Sequence, residues 1–344
     1  MLNVKFSDIA TFSYGKMPNK NLVLEDGKYP IFSGYQIAGH YDTYNSDADE
    51  LVLIARGVGG TGEIRKTPSR CWLTNLSIKI SLFSKNVLKD YLFYKFQAKD
   101  LRWLNSGSAQ PQITISDLSA IDLSLPSLEE QRHIVDILGS IDEKIEKLEK
   151  ENKEFQKLCL SQFKLYFNNK EKVALNKLAT VTMGQSPDGN TINESSGTIF
   201  YQGRTDFGFR YPEVRLFTSA PKRMAKEDDI LLSVRAPVGD VNVAMENCCI
   251  GRGLAAISSN YKHFVFYSLL AQQSDFDVYN NTGTIFGSIN REALLSFGVP
   301  ASDMIDVVKF DSLAAIIDSK IKQNVIESIK LKELKALHLQ KFFG

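Results

Sequence analysis

The chain has 344 residues, 43% of them apolar and 24% charged, with a formal net charge of +1. This excludes a disordered or fibrous chain and leaves room for about two domains with sizeable cores. With so little net charge, a nucleic-acid binder would have to gather its basic residues on one face. No apolar run approaches the ~18 residues needed to cross a bilayer. The first residues, MLNVKFSDIA, show no basic stretch leading into an apolar one. The expectation is a soluble, cytoplasmic protein with no membrane partner. Its four cysteines (Cys71, Cys159, Cys248 and Cys249) are expected to be reduced and buried.

Residues 1–126 hold short β-branched and aromatic runs broken by Gly, Asn, Asp and Ser, which read as strands and turns. One of them, Leu51–Ile64 (LVLIARGVGGTGEI), places Gly57, Gly59 and Gly62 in the spacing of a dinucleotide-binding fingerprint. An oxidoreductase built on it needs a helix after Gly62 and an acid about twenty residues on. Instead EIRKTPSRCWLTNLSIKI follows, with Pro68 as a breaker and a strand-like alternation in its tail. Asp90–Leu101 reads as a helix. After Pro126, Ser127 and Glu130 have the spacing of a capping box, so a long helix is predicted from Leu128 to Phe167. Leu138, Ile141, Ile145, Leu148, Asn152, Phe155 and Cys159 form its seam. Glu143–Lys147, Glu146–Lys150 and Glu149–Lys153 are supporting i,i+4 pairs. Such a helix is on the order of 60 Å long. Residues 169–303 repeat the strand-and-turn character, with a helix at His263–Gln273. A second long helix, within segment 304–344, runs over Asp306–Phe342 with Ile317, Ile321, Val325, Leu331 and Leu334 as its less regular seam.

The chain repeats itself. Val4–Pro18 (VKFSDIATFSYGKMP) matches Val173–Pro187 (VALNKLATVTMGQSP), with Gly15 over Gly184. Glu50–Gly60 matches Asp229–Asp240, with Arg56 over Arg235 and Gly60 over Gly239. Ser106–Thr114 matches Thr282–Asn290, with Ile113 over Ile289. Ile137–Ile145 matches Leu313–Ile321, with Ile141-Asp142 over Ile317-Asp318. In the second copy Ala236 and Val238 stand over Gly57 and Gly59, so the fingerprint is not repeated. A long helix cannot bury its apolar stripe against itself. Either each long helix packs on its own domain, or the two pair antiparallel with Asn152 setting their register. The expected fold is α+β, with two globular domains of mixed structure (1–126 and 169–303). Two long helices (127–168 and 304–344) separate them as an antiparallel coiled coil in a pseudo-two-fold repeat. Two similar readers held apart by a rod suit duplex DNA, whose helical turn is ~34 Å.

The stretch LPSLEEQRHIVDILGSIDEKIEKLEKENKE, with its lead-in SGSAQPQITISDLSAIDLSLP, resembles the specificity subunit of Type I restriction–modification systems. So do FYQGRTDFGFRYP (Phe200–Pro212), ILLSVRAPVGDVNVA and the internal repeat. The second copy departs from the pattern, with MIDVVKF where the first has the EQ word. The resemblance implies two target recognition domains that read the halves of a split, asymmetric double-stranded DNA site. It also implies two copies of a modification (methyltransferase) subunit docked on the helices, and restriction subunits joining that complex. The chain itself would be non-catalytic and hold no cofactor. S-adenosylmethionine would belong to the methyltransferase, and ATP and magnesium to the restriction subunit. No methyltransferase tetrapeptide, phosphate loop or zinc helix occurs in the sequence. The four histidines form no metal-ligand spacing, and His133 beside the helix start reads as a solvated or capping group.

Base edges are read by Arg, Lys, Asn and Gln, and phosphates by basic, hydroxyl and backbone N–H groups. The DNA-binding candidates in the first half are Lys16, Arg56, Arg65, Lys66, Ser108, Gln110 and Gln112. In the second half they are Gln185, Gln202, Arg204, Arg235, Arg252 and Thr284. Arg56 and Arg235 stand out because both follow a strand in matching places; each is otherwise a solvated charge. Tyr201, Phe207, Phe209 and Tyr211 either face DNA or pack a β-rich core. Glu130, Gln131 and Ile134 either dock the modification subunit or only start the helix. A stand-alone DNA-binding regulator is the other non-enzymatic reading.

Overall fold

The structure, a computed structural model, describes the whole chain except Tyr35, Val58, Gly59, residues 106–111, residues 281–286 and Ser302. The described residues pack into two compact units: residues 1–148 with 327–344, and residues 149–326.

In unit 1 the run Leu51–Ile54 is buried at every position, so it is an inner strand covered on both faces. It lies in a four-stranded antiparallel sheet of order Ala10–Tyr14, Ser77–Leu82, Leu51–Ile54, Ile64–Lys66. A second sheet joins Tyr29–Ser33 to Gln36–Tyr41 antiparallel and to Trp72–Leu73 parallel. Leu2–Lys5 pairs with Asp122–Leu125. The helix Lys89–Ala98 adds Tyr91, Leu92, Tyr94 and Phe96 to a core shared with Phe6, Leu53, Ile78, Ile134 and Leu138. Each such side chain, fully buried, contributes about 1.5–3 kcal/mol.

Unit 2 repeats this plan. Its four-stranded sheet runs Thr180–Met183, Leu254–Ser258, Ile230–Ser233, Val241–Val243. Its second sheet again has one parallel pair, Thr198–Tyr201 with Cys248–Ile250, and is widened by Ile192–Asn193 and Met224–Ala225. Lys172–Ala174 pairs with Gly298–Pro300. The helix Lys262–Ala271 takes the place of Lys89–Ala98. Both of these helices end a few residues earlier than their apolar patterns suggest. Each runs instead into a 3-10 turn, Arg102–Leu104 in unit 1 and Gln273–Phe276 in unit 2.

The central helix spans Leu128–Phe167 and the last helix Met304–Phe343. The Ser127 hydroxyl caps the Glu130 N–H at 3.2 Å. The expected seam is buried at Leu138, Ile141, Ile145, Leu148, Asn152 and Cys159, and half-buried at Phe155. Within unit 1, Asp142 pairs with Lys335 and Lys144 with Glu327. Within unit 2, Asn152 meets Asn324, and Phe163 and Phe167 meet Phe310. In both sets one number rises as the other falls, so the helices run antiparallel. Packing divides each helix between the units. Among the described residues, no helix is long and apolar enough to cross a membrane.

The aspartate of the repeated Ile-Asp word has one local role in both units. Tyr94 Oη donates to Asp142 at 2.9 Å, and Tyr267 Oη donates to Asp318 at 2.8 Å. Each bond ties a domain helix to a long helix.

Candidate nucleic-acid interface

In unit 1 the turn Leu73–Leu76 holds two loops by their backbones. Lys16 N–H donates to Leu73 O at 2.9 Å, and Ala55 N–H donates to Leu76 O at 2.8 Å. Arg56 follows directly, bridged to Gln112, while Ile113 N–H donates to Ala55 O at 2.9 Å. Unit 2 builds the same frame around Ile250–Gly253. Gln185 N–H donates to Ile250 O at 2.9 Å and Val234 N–H to Gly253 O at 2.9 Å. Arg235 bridges Ser288, and Ile289 N–H donates to Val234 O at 3.1 Å.

The loops come this close because of glycine. A Cβ on Gly15 would lie 2.3 Å from Leu73 O, and one on Gly184 would lie 2.1 Å from Gly251 O. Both glycines are matched in the sequence repeat, and both positions exclude any side chain.

The frame gathers Lys16, Arg56 and Gln112 in unit 1, and Gln185, Arg235 and Arg252 in unit 2. Gln202 joins the second set, since Gly251 N–H donates to the O of its neighbour Tyr201 at 2.8 Å. Lys16, Gln185, Gln202, Arg235 and Arg252 are exposed. Among the described residues, Lys16, Arg235 and Arg252 have no ionic partner. Arg56 is half-buried, and its Nε is buried with no hydrogen-bond partner among the described residues. A buried donor left open in this way favours an arriving acceptor such as a phosphate or a base edge.

Other candidates lie elsewhere. Arg65 pairs with Glu63, and Lys66 is held by Asp49 and Asp90, so neither charge belongs to the turn cluster. Burial pulls the Lys66 ammonium down, but Asp90 and Asp49 hold it above the ordinary lysine value. Both residues lie on the strand Ile64–Lys66. Arg204 is paired with Asp240. Ser108, Gln110 and Thr284 lie outside the described residues. Tyr201 and Tyr211 are core residues, Phe207 packs against that core, and Phe209 is exposed.

Asn75 was missed by sequence reasoning. It occupies the position in its turn that Arg252 occupies in the other, and its Oδ1 is buried with no partner among the described residues. Setting LTNLS over IGRGL would have shown the match.

The helix-start residues divide. Glu130 is exposed. Gln131 is fully buried: its Oε1 accepts the Leu88 N–H at 2.8 Å, and its Nε2 donates to Asn86 O and Pro126 O at 2.9 and 3.0 Å. Ile134 is a core residue. Gln131 and Ile134 are thus internal anchors and offer no docking surface.

Residues 2–156 match the family described as the Type I restriction modification DNA specificity domain. The candidate type I restriction enzyme MjaX specificity subunit of Methanocaldococcus jannaschii is 31% identical over 279 residues, covering 72% of this chain and 65% of that protein. The chain belongs to the Type I specificity-subunit family. The MjaIX specificity subunit of the same organism is 31% identical over 121 residues, covering 34% of this chain and 27% of its own length. The chain thus spans about two thirds, or less, of these curated specificity subunits. The S subunit of a Type I system from M. genitalium has the same fold, with a TM-score of 0.65 at 18% identity, over 100% of this chain and 96% of that one.

Of the fingerprint glycines in this chain, Gly62 serves a turn. Leu51–Ile54 is followed by the paired strand Ile64–Lys66, not by a helix. Gly62 has φ +96°, and its N–H donates to Ile54 O at 2.9 Å. Gly239 has φ +104°, and its N–H donates to Ser233 O at 3.0 Å. The structural partner of Gly239 is therefore Gly62 and not Gly60, because the first loop is two residues longer.

Proposed function

We propose that the chain is the sequence-specific double-stranded DNA recognition subunit of a Type I restriction–modification complex, each unit reading one half of a split, asymmetric site. The observation that carries this reading is one backbone frame built twice with different side chains at its tip. Lys16 corresponds to Gln185 and Asn75 to Arg252, while Arg56 and Arg235 are alike. Equal frames suit the same kind of target, and unequal side chains suit different base words.

The long helices dock two modification subunits, with restriction subunits joining that complex. Exposed apolar side chains on the helices, Leu158 and Leu165 on one and Leu313 and Ile316 on the other, suit such an interface. S-adenosylmethionine belongs to the modification subunit, and ATP with magnesium to the restriction subunit. This chain performs no chemistry and works in the cytoplasm.

The test is selection of bound duplexes from a random pool by the chain co-purified with its modification subunit. Enrichment of two unlike words around an unread spacer supports the reading. Enrichment of no sequence contradicts it.

A further inference from the structure

In unit 2, residues 207–212 form a small hairpin closed by a Phe207–Pro212 bridge. It lies along the outer strand Val241–Val243. Val243 N–H donates to Arg210 O at 2.9 Å, and the Asn242 amide holds Gly208 through both its oxygen and its nitrogen, at 3.2 and 3.1 Å. The hairpin delivers Arg210 beneath the sheet. The Arg210 side chain is 2% exposed, pairs with Asp318, and lies 3.6 Å over the Phe266 ring. The cavity left there measures about 200 Å³.

Unit 1 has the matching strand, helix and aspartate but not the hairpin. Its strands Tyr29–Ser33 and Gln36–Tyr41 are joined by two residues, where residues 202–215 intervene in unit 2. Phe93, Tyr94 and Asp142 stand where Phe266, Tyr267 and Asp318 stand. With no hairpin, a cleft of about 1030 Å³ lies open beside Ile64–Lys66, helix Lys89–Ala98 and the central helix. Among the described residues, no strand pairs with the outer edge of Ile64–Lys66. Ile54 N–H donates to Glu63 O and Thr67 N–H to Glu50 O, both at 2.9 Å, which marks the inward-bonded pairs. By antiparallel alternation, Ile64 and Lys66 then turn their N–H and C=O groups outward, as Val243 does toward Arg210. Among the residues lining the cleft, carboxylates outnumber cations seven to four. Asp136, Asp142, Glu143 and Glu146 come from the central helix alone.

We propose that this cleft receives an extended, arginine-bearing segment of another protein chain, laid on Ile64–Lys66 as residues 207–212 are laid on Val241–Val243. Strand addition to an open edge supplies backbone hydrogen bonds, and the pocket beside it selects the side chain. Lys335 already holds Asp142 and Lys66 covers the Phe93 ring, so the incoming guanidinium is met by the carboxylates Asp136, Glu143 and Glu146. Lys66 lies over the Phe93 ring, 4.9 Å from its centroid, and pairs with Asp90, without filling the cleft. The proposal stands independently of DNA reading.

The probe is a labelled peptide with the sequence of residues 207–212, FGFRYP, titrated into the full chain and followed by fluorescence anisotropy. Saturable binding is expected, weakened about tenfold by Arg210→Ala in the peptide, because the charge-assisted hydrogen bonds to the carboxylates are lost. Gly139→Met in the chain should weaken it likewise by filling the cleft. A Cβ at Gly139 has ordinary room, 3.8 Å from Tyr94 Oη, so this variant keeps its fold, checked by its circular dichroism and melting temperature. A peptide that does not saturate overturns the proposal. So does equal binding by the Arg210→Ala peptide or by the Gly139→Met chain.

Discussion

The Asn324 Nδ2 donates to Asn152 Oδ1 at 3.0 Å, and both side chains are buried on the seam between the long helices within unit 2. Apolar residues flank them along both helices, so this bond forms only in this register, while Asn324 Oδ1 is buried with no partner among the described residues. Asn324→Leu leaves the Asn152 amide buried and unpaired, and should cost about 1–3 kcal/mol in chemical denaturation. The Asn152→Leu, Asn324→Leu double variant should regain most of that loss. A double variant as unstable as the single one would show that the pair does not act as a unit.

Arg56 and Arg235 sit at one structural position in two domains that carry different side chains elsewhere in the frame. A role common to both units suits what every duplex offers, the phosphate backbone. Arg56→Ala and Arg235→Ala should each weaken binding by the modification-subunit complex to cognate and unrelated duplexes alike. Each should reduce the slope of log affinity against log salt by about 0.9. A change in the preferred sequence would instead assign the arginine to base readout.

Much of this was legible in the sequence because the long helices obey a periodicity that local rules capture. The central helix begins where Ser127 caps it and ends at Phe167, as its pattern predicts. The repeat was legible because the same backbone bonds constrain the same residues, such as Gly15 with Gly184 and Ile113 with Ile289. The candidate site was harder to read. Lys66 looks like a free cation in the sequence, but its acidic partners Asp49 and Asp90 come from distant segments, while Arg65 pairs with nearby Glu63. Gln131 looks like a surface residue, yet the carbonyl and amide it binds belong to the loop before helix Lys89–Ala98. Asn75 carried no signal in its own segment, and only alignment with Arg252 in the other copy marks its place.

The glycine-rich stretch is a structural turn, which makes a prediction of its own. A Cβ at Gly62, where φ is +96°, would lie 2.5 Å from the Arg102 backbone nitrogen. Gly62→Ala and Gly184→Ala should each lower stability by about 1–3 kcal/mol. Nicotinamide dinucleotides should leave the melting temperature unchanged. A saturable rise with cofactor would restore the dinucleotide reading.

All four cysteines are unbridged and buried. Burial pushes the Cys71 thiol up to about 11 and the Cys248 thiol up to about 12. Raised values mean less thiolate at any given pH, so reactivity falls below that of a free cysteine. Iodoacetamide at pH 8 should label neither residue in the native chain and both after denaturation, as read by peptide mass spectrometry. Rapid native labelling of Cys248 would contradict its buried position.

The central claim, that one chain reads two unlike words through two copies of one frame, is tested most directly by mapping methylated bases. The DNA comes from cells expressing this chain together with its modification subunit. The expected result is methylation within a split, asymmetric motif whose two words flank an unread spacer. Methylation confined to a contiguous palindrome would contradict the account.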